Sequence, residues 1–323
     1  VARTGLVAVG WISPDFHGAA WTSADGSSWS LAPRLAEGTG FTAVAADADR
    51  IVAVGLDGRG ATAWSSTEGL AWQKTTSAAA FAQAPSRLTA VVHWRGGFAA
   101  AGYEGNEFGA ATAAFWVSPD GLSWQRAPDS PGLADGRPWS IAAGGPGLVA
   151  VGASGSTDAP GPAVVWTSAD GLSWARIPAD PALADAQMRA VADVAGIGLV
   201  AAGEDPTGTG VIWISADGRR WQRASATGQG DQRTKVRLTA VIAGGPGVVV
   251  IGSATESTQS TAAAVWTSAD GVTWTREASG VEFSYSELAA VARWRDGLVA
   301  VGDTGIPDEY IASVWTSPPA WSR

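Results

Sequence analysis

The chain has 323 residues, 46% hydrophobic and only 16% charged, with a formal net charge of −9 from 21 basic and 30 acidic side chains. That balance excludes a nucleic-acid binder, which needs a basic footprint for phosphates, and argues against an anionic membrane surface. Cysteine is absent and histidine occurs only at His17 and His93, which excludes disulfides, thiolate nucleophiles and a multi-histidine metal site, so neither metal nor cofactor is expected. No apolar run reaches 18 residues, so no helical membrane span is expected. No charged segment followed by an apolar one opens the chain, so any export signal is expected to be absent or already removed. Glycine (42) and tryptophan (18, against 3 Tyr and 7 Phe) point to many short strands, tight turns and a repeated structural use of indole.

One segment recurs along the whole chain. It reads WTSADGSSW from Trp21, WSSTEGLAW from Trp64, WVSPDGLSW from Trp116, WTSADGLSW from Trp166, WISADGRRW from Trp213 and WTSADGVTW from Trp266, then a degenerate WTSPPAW from Trp315. The leading tryptophans are 43 to 53 residues apart, and in six units a second follows eight residues later. Upstream stands an apolar run closed by Gly: GLVAVG from Gly5, RIVAVG from Arg50, GFAAAG from Gly97, GLVAVG from Gly147, GLVAAG from Gly198, GVVVIG from Gly247 and GLVAVG from Gly297. A third run precedes it: FTAVAA from Phe41, LTAVVH from Leu88, WSIAAG from Trp139, RAVADV from Arg189, LTAVIA from Leu238 and LAAVAR from Leu288. None carries a sustained 3.6-residue period. SAAAFAQA from Ser77 predicts one helical turn.

Each unit therefore predicts four short strands: A (the TAV run), B (the GLVAVG run), C (ending Trp-Thr-Ser) and D (carrying the second Trp). Seven such units predict an all-β chain, a seven-bladed β-propeller of four-stranded antiparallel blades, in preference to a stacked solenoid. One domain spans 1–323, with blades at about 1–33, 40–75, 87–127, 137–177, 188–224, 237–277 and 287–323. Aligning Gly10 with Gly302 leaves blade one without most of strand A. Either preceding residues supply it, the favoured account, or blade one is three-stranded.

The Asp-Gly pairs between C and D are hairpin signals, with the Asp side chain accepting turn amides. Asp25, Glu68, Asp120, Asp170, Asp217 and Asp270 are assigned this structural role. Trp29, Trp72, Trp124, Trp174, Trp221 and Trp274 are assigned to covering the turn or filling the wedge between sheets. Ser-Ala-Asp-Gly-x-x-Trp resembles the Asp-box, or BNR, repeat of sialidase-like propellers, one residue shorter here. The resemblance covers nearly the whole chain as architecture and implies fold, not function: Asp-boxes occur in glycosidases, lectin-like proteins, sorting receptors and assembly factors.

Ligands of propellers are expected at the end built by the variable B–C and D–A loops. These loops are acidic here. The places before strand A hold Arg87, Arg137, Arg237 and Glu287, with Arg189 one place later, and several guanidiniums converging on one mouth would suit a carboxylate or phosphate. The sialidase resemblance would add a Tyr nucleophile paired with Glu, met by Tyr285 with Glu287 or Glu282, or Tyr310 with Glu309, and an acid such as Asp57. Against it stand near-uniform units and no Phe/Tyr-Arg-Ile-Pro segment.

The leading expectation is an exported, non-enzymatic binding or scaffold propeller for a glycan, peptide or protein, extracellular or in the cell envelope. A sialidase-like glycoside hydrolase or lyase acting on an acidic glycan, and a structural subunit of a cell-surface assembly, are the alternatives.

Overall fold

A computed structural model describes residues 5–12, 17–33, 38–58, 60–82, 86–106, 108–226, 234–255, 261–277, 283–306 and 309–317. The chain is all-β, a seven-bladed propeller of four-stranded antiparallel blades. It divides into two compact units, Val1–Ile177 and Pro178–Arg323.

The first unit holds four sheets. Blade one shows strands B (Leu6–Ile12), C (His17–Ser23) and D (Ser30–Leu31). Blade two runs A to D as Thr39–Ala46, Ile51–Asp57, Gly60–Ser66 and Gln73–Lys74. Blade three follows as Ser86–Trp94, Gly97–Gly105, Ala111–Ser118 and Gln125–Arg126. Blade four is Arg137–Gly144, Gly147–Gly155, Pro160–Ser168 and Ala175–Arg176.

The second unit holds three sheets. Blade five is Gln187–Val194, Gly198–Glu204, Gly210–Ser215 and Gln222–Arg223. Blade six is Lys235–Gly244, Gly247–Thr255, Thr261–Ser268 and Thr273–Arg276, with Ser225–Ala226 added in parallel on its D strand. Blade seven shows A (Ser286–Trp294), B (Gly297–Ile306) and C (Glu309–Ser317). The strand expected around Trp321 lies outside the described residues.

The helical turn expected near Ser77 forms as a 3-10 helix, Ala78–Phe81. Pro131–Leu133 and Pro181–Leu183 form two more, which the sequence pattern did not announce. Strand D corrects one expectation. It is a stub of two residues in most blades and begins just after the second tryptophan, which belongs to the turn; among the described residues only Trp274 lies within the strand itself.

Strand B reads as continuous Val and Ala without alternation because both its faces are covered. Val52 and Val54 of blade two pack with Leu88, Ala100 and Trp116 of blade three, closed by Phe81 from the connection. Val200 and Ala202 of blade five meet Val248, Val250 and Trp266 of blade six in the same way. The leading tryptophans anchor these layers: Trp116, Trp166 and Trp213 are fully buried, and their indole N–H groups donate to Ala80, Gly132 and Ala182 carbonyls of the 3-10 turns at 2.7, 3.0 and 2.7 Å.

Every strand A from blade two onward carries a β-bulge. The register slips at Phe41/Ala43, Leu88/Ala90, Pro138/Ser140, Met188/Ala190, Leu238/Ala240 and Leu288/Ala290. The bulge folds one backbone carbonyl over the facing residue of strand B, and that residue is always glycine: Gly55, Gly102, Gly152, Gly203, Gly252 and Gly302. A Cβ there would fall inside the carbonyl oxygens of Gly40, Arg87, Arg137, Gln187, Arg237 and Glu287. In three blades the extra residue is threonine and links to the next sheet. Thr42, Thr89 and Thr239 Oγ1 donate to the strand-A carbonyls of Leu88, Pro138 and Leu288 at 2.8, 2.7 and 2.6 Å.

Candidate functional site

The C–D hairpins are structural. In blades three to six the Ser hydroxyl accepts the Gly amide and the Asp carboxylate accepts the next two turn amides. In blade four, Gly171 N–H reaches Ser168 Oγ at 2.9 Å, and Leu172 and Ser173 N–H reach Asp170 Oδ1 at 2.9 and 2.6 Å. The second tryptophan then donates to the turn: Trp174 Nε1 to Gly171 O at 2.9 Å. Its ring stacks on Phe115 of blade three at 3.7 Å, so it both covers the turn and fills the wedge. The turn glycine adopts positive φ (+76° at Gly171), and a Cβ there would meet Val117 and Trp94 of the preceding blade. Blade two departs from the pattern: Ser66 Oγ accepts Gly69 N–H at 2.8 Å, but among the described residues no turn amide bonds to Glu68.

These amides hold Asp170 down to about 2, chiefly through Ser173 and then Leu172, and Asp270 likewise to about 2 through Thr273 and Val272. A carboxylate held below its unfolded value stabilises the fold above that value and loses the contribution as pH falls through about 2. The expected result is a melting-temperature gap between the native chain and an Asp170→Asn/Asp270→Asn variant that narrows from pH 4 to pH 2. Circular-dichroism melts across that range check it; a gap independent of pH would remove the carboxylates from the explanation.

The loop end is where the candidate ligand residues sit, and most are engaged locally. Arg137 is 1% exposed. Its guanidinium donates to the Gly155 carbonyl of its own blade and to Asn106 and Gly109 carbonyls of blade three at 2.7 and 2.6 Å, and it lies 5.2 Å over the Tyr103 ring. Arg87, half-buried, is the cross-strand partner of Tyr103, the residue whose ring Arg137 covers.

In the second unit the register places Gln187, not an arginine, at the position equivalent to Arg87 and Arg137. Arg189 is the extra residue of the bulge, and its Nε donates to Glu204 Oε1 at 2.6 Å. The displacement arises from one more residue in the blade-five A–B turn, where Val194 pairs with Gly198. Arg237 is exposed opposite Ser253.

Several loop acids are likewise spoken for. Glu104 takes a two-pronged bond from Arg126 at 2.8 and 2.6 Å, which raises that guanidinium's pKa further, and Asp57 pairs with Lys74. Asp205 accepts from Thr207 and Thr209 within its own loop. Among the described residues no three His, Cys, Asp or Glu groups gather as a metal site, and no helix is long and apolar enough to cross a membrane.

Blade seven differs. Glu287 faces Asp303 across the ladder, and burial together with the Glu287 charge raises the Asp303 pKa. Two residue pairs further out, beyond Ser286 and Thr304, the Tyr285 carbonyl accepts Gly305 N–H at 2.8 Å and Gly305 pairs with Tyr310. Tyr285 (φ +54°) and Tyr310 are 55% and 62% exposed, and Ile311 is 70% exposed. A group whose folded pKa is raised costs stability once ionised. Asp303→Asn is therefore expected to raise the melting temperature at neutral pH, with the gain lost in acid; thermal melts at two pH values check it. Glu282 lies outside the described residues.

Sequence reading passed over a cavity of about 340 Å³ at the tight-turn end of blade two, lined by Arg50, Ser65, Ser66, Thr67, Ala71, Trp72, Gln73 and Leu122. The signal was present: Arg50 stands where six other units open strand B with glycine.

No family model matches the chain, and no curated protein matches it. Solved structures do. YCF48 bound to D1 peptide is similar over 93% of this chain and 89% of its own, with a TM-score of 0.58 at 15% identity. An acylaminoacyl peptidase complexed with a chloromethyl ketone is similar over 99% of this chain and 52% of its own, at 0.55 and 11%. The β-propeller domain of the Trilobed protease from Pyrococcus furiosus, with an open velcro topology, is similar over 100% and 96%, at 0.53 and 10%. At these identities the likeness shows one thing, a shared β-propeller fold.

Proposed function

We propose that the protein is an exported, non-enzymatic binding or scaffold propeller of Asp-box type that recognises a peptide segment of a protein partner through its loop end. The observation that carries this reading is the blade-seven row of Tyr285, Gly305 and Tyr310 beside Glu287 and Asp303. Large aromatic rings left in solvent beside desolvated polar groups are what binding hot spots are made of. Gly305 leaves room between the rings, and the two carboxylates favour a cationic side chain between them. The peptide-bound state of a similarly folded propeller, YCF48, supports a peptide over a glycan.

Selection from a random peptide library tests it. The expected peptides carry Lys or Arg beside an aromatic or aliphatic residue, and Tyr285→Ala/Tyr310→Ala weakens them about tenfold or more. Equal binding by that variant would refute the site. Turnover of sialosides or other acidic glycans would refute the non-enzymatic reading.

A further inference from the structure

Among the described residues blade one is ordered B, C, D, and one side of strand B, Leu6–Ile12, pairs with no strand. Val7, Ala8, Val9 and Gly10 are half-buried there, whereas their counterparts in blades two to six are buried. Trp11 is 57% exposed. An edge reading Leu-Val-Ala-Val-Gly-Trp-Ile, with no charge, proline or bulge to blunt it, is a template for another strand. Blade two walls the edge: Val9 and Val44 pack on one apolar cluster with Ala20, Phe41 and Trp64.

Three features specify the strand that fits. The first is Gly10. In blades two to seven the bulge carbonyl of strand A imposes glycine at this place, and blade one keeps it although a Cβ would meet only the Trp21 ring at 3.7 Å among the described residues. The second is Phe41. The bulge threonines Thr42, Thr89 and Thr239 donate to the residue just before the next blade's bulge, Leu88, Pro138 and Leu288, and in blade two that residue is Phe41. The third is Trp11. It follows Gly10 as Tyr103 follows Gly102, and Tyr103 is the residue that faces Arg87 across the ladder. An exposed indole offers a guanidinium its face.

We propose that this edge captures an extended segment of a partner protein, antiparallel, as the A strand of blade one, and that the segment follows the pattern Arg-Leu-Thr-Ala-Val. The chain itself uses that sequence in two A strands, Arg87–Val91 and Arg237–Val241. In the blade-three register the Arg lies opposite Trp11 and the Leu opposite Gly10, the Thr forms the bulge and donates to the Phe41 carbonyl, and the Ala and Val lie opposite Val9 and Ala8. Backbone bonds along the edge supply affinity, and the bulge and Trp11 supply selection. The net charge of −9 favours a segment that carries Arg. A second copy would offer its own strand B, which has no bulge to lay over Gly10. The inference rests on blades one and two and not on the blade-seven row, so either reading can fail without the other.

The test is fluorescence anisotropy of a labelled peptide with the sequence of residues 86–94, titrated with the whole chain. Saturable binding is expected. Gly10→Ala, whose Cβ would strike the incoming bulge carbonyl, is expected to weaken it about tenfold or more while the urea midpoint stays native. Within the peptide, Thr89→Val and Arg87→Glu are each expected to weaken binding about threefold or more. Bound peptide is expected to slow amide exchange along Leu6–Ile12. No saturable binding, equal binding by Gly10→Ala, equal binding of a scrambled peptide, or unchanged exchange along Leu6–Ile12 would each overturn the proposal. Loss of the peptide as the chain dimerises, read by sedimentation, would give the edge to a second copy and overturn it as well.

Discussion

Gly102→Ala is expected to be among the most damaging single-methyl changes in this chain. The added Cβ would sit inside the Arg87 carbonyl oxygen and 3.0 Å from the Leu88 Cα, both backbone atoms fixed by the bulge at Leu88/Ala90. Backbone cannot step aside as a side chain does, so relief means undoing the bulge and the Thr89 link to Pro138. A loss of about 4 kcal/mol or more is expected, beyond the usual range for point changes. Gly10, the counterpart in blade one, is the control. Among the described residues no strand A crosses it, and its Cβ would meet only the Trp21 ring at 3.7 Å. Gly10→Ala should stay within about 1 kcal/mol of the native chain. Urea denaturation of the two variants side by side checks both; equal losses would sever the glycine requirement from the bulge.

The second large effect is expected at Arg137. Truncation to alanine removes a fully buried guanidinium, leaves the carbonyls of Asn106, Gly109 and Gly155 without their donor, and empties the space over Tyr103. The sum is about 3–5 kcal/mol, a fall in Tm on the order of 5–10 °C. The clamp joins blades three and four, so the damage should surface as faster hydrogen exchange in the 105–110 and 153–160 segments. A variant with native Tm and native exchange would return Arg137 to the role of a free ligand-binding side chain.

These cases also mark where the sequence was legible. Seven units, tight Asp-Gly hairpins and buried indoles follow from local pattern, because turn chemistry and hydrophobic spacing act over a few residues. The bulge did not follow. It depends on which residue of strand B lies opposite, and Thr42, Thr89 and Thr239 look like ordinary strand threonines until the register is known. The same applies to the row of arginines. Position before strand A places the Cα of Arg137, but a long side chain chooses its own direction, and this one turned to three carbonyls. In blade five one extra turn residue moved Arg189 onto the bulge and put Gln187 in the row. Arg50 was legible as the exception to GLVAVG, but the Asp47 turn that admits its side chain depends on hydrogen bonds that no residue pattern displays.

The stub-like D strands have a bearing on how copies of this protein behave when crowded. An outer strand of two residues offers another molecule almost nothing to zip onto, so the rims of blades two to five are poor seeds for edge-to-edge growth. Blade six has the longer rim, Thr273–Arg276, and there Ser225–Ala226 of the same chain occupies the place a stranger would take.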